Sequence, residues 1–500
     1  MFRQILRLSK HSVIYGFGVS ISQLIGFFLL PLYTRYLTPS DYGVLEIFGV
    51  TQSILSMIFV MGLGSALFMS YFHYEDEEDR KTVVSTALIF LTAISLCFSL
   101  VLIAIASKFS LLFFHSTQYT FYFQVVFLTL FFDTVIVIPL SIFRAREESK
   151  RYAMISLVRL LMSVGLNIYF IVVLKRGVLG ILESGVITAG SLYAFLIPSI
   201  IKETKFRFSK QDLKEMLSFG LPLVPGNLGT WILTVSDRYF LLFLSTSHEL
   251  GLYSLGYKFG LIIQGLIVGP FTLAWSPFFW SVAKEENAKE VYSSVLTYFV
   301  LVAMFVALAL SVLSKDVLVI MATPSFYGAY KVIPLIALSY VLYGCYYILN
   351  IGYHISKKTK YSPFIIGTGS IVNLCLNYLL IPTYGMMGAA VATLISYSML
   401  PMCAFFVSRR FYPIKYEWGR ISKIFLTAVL IYAVSLYITN DSAIVSGLLK
   451  AMTLLAYLVL LYVFGFFKHE EIQKGKDLIR VVPMEIRTWF AEDGLLFWRK

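Results

Sequence analysis

Long apolar runs alternate with short polar connections along the whole chain. The runs recur at about 20 residues, the length at which a helix crosses a bilayer. Fourteen can be read, at 12–34, 43–70, 83–107, 119–143, 153–174, 178–201, 217–243, 251–283, 292–314, 332–354, 361–382, 386–408, 421–439 and 445–467. They predict an all-α integral membrane protein with about 14 transmembrane helices. The 251–283 run is interrupted by Pro270 and Pro277, which leaves its ends open. Arg3, Arg7 and Lys10 precede an apolar run too long for a signal core, so no cleavable signal is expected.

The polar connections repeat. Phe143-Arg144-Ala145-Arg146 through Ser149-Lys150 to Tyr152 is echoed 210 residues later by Tyr353-His354-Ile355-Ser356 through Thr359-Lys360 to Ser362. Leu166-Asn167 returns as Leu376-Asn377 at the same offset. Gly177-Val178-Leu179-Gly180 returns as Gly385-Met386-Met387-Gly388, and Leu37 to Gly43 returns loosely as Leu244 to Gly251, both glycine pairs at an offset of 208. Internal duplication of this length in a membrane protein predicts a transporter whose two lobes rock about a central site. Six spans per copy is an even number, so both copies enter the membrane in the same sense and form two parallel six-helix bundles. The expected organisation is a first lobe at 1–201, a cytoplasmic linker at 202–216, a second lobe at 217–408, two further helices within 409–467 and a cytoplasmic tail at 468–500.

Composition agrees, with 58% hydrophobic and 14% charged residues. With the N-terminus inside, 31 of the 41 Lys and Arg fall in cytoplasmic loops and tails and seven in outer loops. That is the bias the positive-inside rule requires, with both termini cytoplasmic. It accounts for the net charge of +13 without a nucleic-acid partner. Cys97, Cys345, Cys375 and Cys403 sit in apolar runs without CxxC spacing, and the six His do not cluster, so neither disulfide nor metal site is expected. No cofactor motif is present, and no outer loop is long enough for catalytic groups, so an enzyme such as a glycan polymerase or ligase ranks last. The acidic run Glu75 to Asp79 reads as a solvated charge cluster, and the tail with Trp489, Phe490, Phe497 and Trp498 suits the inner membrane surface.

Charges inside the apolar runs cost about 2.5–3.5 kcal/mol each at mid-bilayer and should face a hydrated interior or a partner. The candidates are Glu46, Asp133, Arg159, Glu183, Asp237, Arg238 and Lys258. Arg238 and Lys258, with Asp237 beside them, read as an anion-binding group suited to a phosphate, or else Asp237 neutralises Arg238 while Lys258 snorkels outward. Arg159 reads as a further substrate contact or a snorkelling cation near the cytoplasmic end of its span. Asp133, without a charged neighbour at helical spacing, is the ion-coupling candidate, with Glu183 behind it; a hydrogen-bonded structural Asp is the alternative. Pro222 and Pro225 are the leading hinge candidates.

The segments Pro31 to Gly43 (PLYTRYLTPSDYG), Gly220 to Pro225 (GLPLVP), Ser236 to Phe240 (SDRYF) and Gly251 to Lys258 (GLYSLGYK) resemble the polysaccharide biosynthesis transporter family, which includes the O-antigen and capsule repeat-unit flippases of bacteria. The likeness covers the first twelve spans. It implies the fold of the multidrug/oligosaccharidyl-lipid/polysaccharide exporter superfamily, two six-helix bundles in a V with two extra C-terminal helices, in the bacterial cytoplasmic (inner) membrane. The activity it implies is movement of an undecaprenyl-pyrophosphate-linked oligosaccharide from the cytoplasmic to the outer leaflet, coupled to H+ or Na+. The partners would be that lipid-linked oligosaccharide, membrane lipid, and a glycan polymerase or assembly protein. Cationic cavity residues on the anionic head group would match Arg238 and Lys258 by motif. A drug/cation antiporter of the same fold is the alternative, and those two cations weigh against it.

Overall fold

The computed structural model describes residues 29–205, 207–438, 442–469, 471 and 473. Among them there is no strand, and twelve helices are long and apolar enough to cross a membrane. They are Pro39–His73, Glu77–Ala104, Thr120–Ala145, Ser149–Val173, Gly177–Glu203, Lys210–Val235, Ser247–Val282, Ala288–Met321, Ile333–Ile355, Tyr361–Phe411, Trp418–Leu436 and Ile444–Val463. The 51-residue helix 361–411 holds two expected runs, 361–382 and 386–408, separated where Gly385 leaves helical geometry (φ 52°, ψ −130°). Most of the expected run 12–34, and the tail beyond 473, lie outside the described residues.

The repeated sequence motifs are chain-direction signals, and each does the same work in both copies. Thr38 caps helix 39–73 by accepting from the Asp41 amide, with Asp41 reaching back to the Thr38 amide. At the equivalent place Thr246 accepts from the Glu249 amide at the start of helix 247–282. Both satisfy amides that a helix start leaves without partners. Helix 120–145 ends with Glu147 left-handed (φ 57°) and the Glu148 amide on the Phe143 carbonyl; 210 residues on, Lys357 is left-handed (φ 57°) and the Lys358 amide bonds the Tyr353 carbonyl. These are matched Schellman-type stops. Gly177 (φ 54°) and Gly385 (φ 52°) are matched positive-φ residues at equivalent breaks of the two copies, a backbone that glycine adopts without a Cβ penalty.

The lobes meet through helices 39–73 and 247–282 at the end of the bundle that the charge bias assigns to the outside. There Gly43 and Gly251 face each other. A Cβ on Gly43 would sit 3.1 Å from the Gly251 amide nitrogen, and a Cβ on Gly251 3.2 Å from that of Gly43. The contact is reciprocal between repeat-equivalent residues, so the pseudo-twofold axis passes between them.

The described residues of the expected linker pack on the first lobe. Its amides at Lys205 and Ser209 bond the Ser85 and Thr86 hydroxyls (2.8 and 3.0 Å), and Tyr74 donates to Asp212 (2.8 Å). The amphipathic helix Lys210–Gly220 sends Met216 into a core with Leu63, Leu67, Val83 and Ile138. The next segment, Leu223–Val235, packs on helix 361–411, where Ser370 bonds the Gly229 carbonyl (2.7 Å). The chain therefore crosses between lobes at Gly220-Leu221-Pro222. Gly220 lies there against Met61 and Gly62, both left-handed (φ 50° and 70°), which break helix 39–73. The second copy is disturbed at the matching depth by a π-helical turn, Gln264–Val268, before Gly269 and Pro270.

The two C-terminal helices are pinned to helix 288–321 at both ends. Lys450 bonds Asp316 at 2.7 Å, both residues being buried. At the other end Thr297 donates to Glu417 (2.8 Å), which also pairs with Arg420 (2.9 Å). Lys450, expected in an outer loop, instead lies within helix 444–463 and neutralises the buried Asp316 carboxylate.

Candidate functional site

Helix 39–73 presents a polar stripe toward the interior. Glu46, Gly49, Gln52, Ser53 and Ser56 recur at helical spacing and retain exposure, while Ile47, Phe48, Val50 and Thr51 are buried. Gly49 has nothing within 4 Å of the place a Cβ would occupy. A stripe that is polar and accessible within a span faces space that water can enter.

At mid-depth this stripe meets Asp133 on helix 120–145 and Arg159 on helix 149–173. Arg159 bonds Asp133 Oδ1 at 2.6 Å, and the Gln52 amide donates to Oδ2 at 3.0 Å. The Arg159 side chain keeps 42% of its surface and Asp133 19%. Asp133, read from sequence as isolated, is therefore paired: its partner is 26 residues away on the adjoining helix. Arg159 does not snorkel to the cytoplasmic end, since its guanidinium lies at the level of Asp133, deep in the bundle. One carboxylate against one guanidinium leaves most of the five N–H donors free for an incoming anion.

Lys258 also finds a partner, across the lobe boundary. Its ammonium is 3.4 Å from Glu46 and 4.7 Å from the centre of the Tyr42 ring. Glu46 and Lys258 thus join the lobes next to Gly43 and Gly251. Two further polar contacts continue the same seam inward: Thr51 with the Tyr239 hydroxyl (2.9 Å), and the Trp231 indole N–H donating to Ser53 (2.8 Å).

The Asp237–Arg238 pair lies elsewhere. Both residues are buried inside the second lobe, at 1% and 4% exposure. Arg238 donates to Asp237 (2.6 Å) and to the Thr234 carbonyl (2.7 Å), and its guanidinium stacks 3.9 Å over the Tyr257 ring. Tyr253 donates its hydroxyl to Asp237, and Thr393 and Asn373 close the surroundings. Arg238 and Lys258 therefore do not form one group, and Arg238 does not reach the accessible stripe. Glu183 pairs with Arg176 at 2.9 Å, near the start of its own helix, and does not join the Asp133 network.

The sequence reading missed Gln52, Ser53, Tyr239 and Trp231. The signal for the first two was the polar spacing within 43–70. Tyr239 and Trp231 offered none, because aromatic residues are ordinary in membrane helices. Among the described residues each lobe holds one Asp–Arg pair, but at non-equivalent positions. Asp133 and Arg159 align with Tyr343 and Gly369, and Asp237 and Arg238 with Leu29 and Leu30.

Residues 8–283 match the family model described as polysaccharide biosynthesis protein. A Haemophilus influenzae protein described as Lsg locus putative protein 1 is 25% identical over 419 residues, covering 81% of this chain and 99% of that protein. Among solved structures, the lipid II flippase MurJ in an inward closed conformation superposes with a TM-score of 0.74 at 17% identity, over 91% of this chain and 100% of the other. An inward-facing multidrug resistance MATE family transporter gives 0.63 at 15% identity, over 84% and 98%. The chain is thus a multi-pass membrane protein with the fold of flippases and transporters, and these structural matches are not enzymes.

Proposed function

The chain belongs to the polysaccharide biosynthesis protein family, and from that premise we propose that it is a flippase for lipid-linked oligosaccharide. It carries a polyprenyl-pyrophosphate-linked repeat unit from the cytoplasmic to the outer leaflet of the bacterial inner membrane by alternating access. Both termini lie in the cytoplasm, and the product passes to a glycan polymerase or other assembly protein outside. The observation that carries this reading is Arg159, an accessible guanidinium deep in the bundle, held by Asp133, which Gln52 in turn positions, with donors to spare. The polyprenyl chain stays in lipid while the pyrophosphate enters between the lobes.

Asp133 is the ion-coupling group in this scheme. A proton or Na+ on Asp133 releases Arg159 to the pyrophosphate, and its departure restores the pair. Lys258 is the second cation on the route, placed where the outer end parts. Asp237 and Arg238 hold the second lobe rigid through Tyr253 and Tyr257, and Glu183 anchors Arg176. The similarity to a lipid II flippase supports the substrate class, and the MATE similarity supports the rocking motion.

The test is a strain lacking the gene. It should accumulate repeat units on the cytoplasmic face, relieved by the wild-type gene but not by Arg159→Ala. Drug hypersensitivity with an intact surface glycan would instead favour the cation antiporter, and accumulation of single units already outside would favour a polymerase.

A further inference from the structure

The cross-lobe contact of Trp231 has a use that the ion pairs do not. We propose that Trp231 is a specificity-determining residue of the transport site, a platform on which the first sugar of the head group stacks. This assignment rests on the flippase reading above.

Trp231 lies on helix 210–235 and remains partly exposed. Its indole N–H is anchored at one edge by Ser53 of the other lobe (2.8 Å). Its aromatic neighbour among the described residues is Tyr239, tilted 44° with centroids 6.1 Å apart, so neither face is covered by a parallel ring. An edge-anchored, partly exposed indole with no ring stacked parallel to it is a fixed apolar plate. A pyranose ring offers the complement, a face of C–H groups rimmed by hydroxyls.

The surroundings suit a sugar and leave room for one. Asn227, four residues earlier and so on the same helical face, is exposed and makes no hydrogen bond to another described residue. Its amide supplies both donors and an acceptor for hydroxyl groups. Gly226 beside it and Gly49 on the facing helix have nothing within 4 Å of a Cβ position. Ser53 adjoins Gln52, whose amide bonds Asp133, the partner of Arg159. The plate and the anion-binding guanidinium are thus linked through two consecutive residues of one helix. In this assignment a head group held by Arg159 extends its first sugar across helix 39–73 toward Trp231.

The test compares two probes on the purified full chain in nanodiscs: bare undecaprenyl pyrophosphate, and the same lipid bearing one N-acetylhexosamine. The wild type should half-saturate at a concentration roughly threefold to tenfold lower with the glycosylated probe, the range an aromatic contact supplies. Trp231→Ala should remove that preference and leave the bare probe unchanged, while Trp231→Phe keeps most of it. Arg159→Ala should weaken both probes alike. Equal weakening of both probes by Trp231→Ala would make the residue a lobe latch or a prenyl-chain contact and overturn the assignment. An unchanged preference would overturn it as well. Binding of neither probe by the wild type would bring down the flippase reading, and this assignment with it.

Discussion

Gly43 and Gly251, 208 residues apart in sequence and equivalent in the repeat, touch backbone to backbone where the lobes close. The contact shows how duplication serves transport. Two copies of one helix, packed on their own symmetry axis, can approach only where neither carries a side chain. The same pair marks the surface that must part when the outer end opens.

Gly251→Ala should therefore prop the outer end apart, because the added methyl overlaps the Pro39 carbonyl oxygen. Flux should fall by about fivefold or more, since overpacking of 1–3 kcal/mol here acts on the closed state. Reactivity of a cysteine placed at Ser40 toward an impermeant thiol reagent should rise. Unchanged reactivity would mean that the helices slide past the insertion.

Breaking the Glu46–Lys258 pair should alter conformation more than stability. Both side chains keep 20–29% of their surface, so the pair contributes about 0.2–1 kcal/mol, a shift of roughly fivefold or less between closed and open outer ends. Glu46→Gln should raise outer cysteine reactivity within that range without lowering the melting temperature. The exchange Glu46→Lys with Lys258→Glu should return it toward wild type.

Asp316 and Lys450 stand at the other extreme. Both are buried, so removing one leaves a stranded charge at a cost of about 3–5 kcal/mol. Asp316→Asn should lower the melting temperature in detergent and expose helix 444–463 to hydrogen exchange. Asp316→Leu with Lys450→Met should recover most of the loss, and a double variant no better than the single would contradict an ion-pair role.

Acid should loosen the inner end of the C-terminal helices. Burial alone would push the Glu417 carboxyl up, but hydrogen bonds from Lys468 and Thr297 and the charges of Arg420 and Lys468 outweigh it and hold it below its ordinary 4.5. A depressed carboxylate contributes its stabilisation in full above that ordinary value and loses it as pH falls through the folded value. Protection of the amides at 464–469, measured against their intrinsic exchange at each pH, should fall below about pH 4.5 and be flat above it. Glu417→Gln should show the faster exchange at neutral pH and lose the pH dependence.

The helices, the repeat and its symmetry were legible because they are written locally. Thr38 with Asp41 and Thr246 with Glu249 are caps within four residues, and Gly177 and Gly385 mark turns by their own backbone freedom. Most embedded charges were legible too, since the apolar runs name seven of them, but Asp316 and Lys450 were missed. Pairings were not. Asp133 and Arg159 meet because two helices pack at one azimuth, which the spacing within either helix does not state. Arg238 looked like a cavity cation from its charge, yet its direction is set by Tyr257 and Asp237 inside the lobe. The linker read only as a connection between the lobes, while Met216 and Asp212 fasten it to the first lobe.

The most direct measurement is leaflet-to-leaflet movement of an undecaprenyl-pyrophosphate-linked saccharide in proteoliposomes containing the purified full chain. The account predicts protein-dependent movement that Arg159→Ala reduces at least about a hundredfold, the loss expected when a charge-assisted contact of roughly 3 kcal/mol disappears. Arg159→Lys should keep a measurable fraction. Wild-type movement that Arg159→Ala leaves intact, or no movement by the wild type under an imposed proton or Na+ gradient, would contradict it.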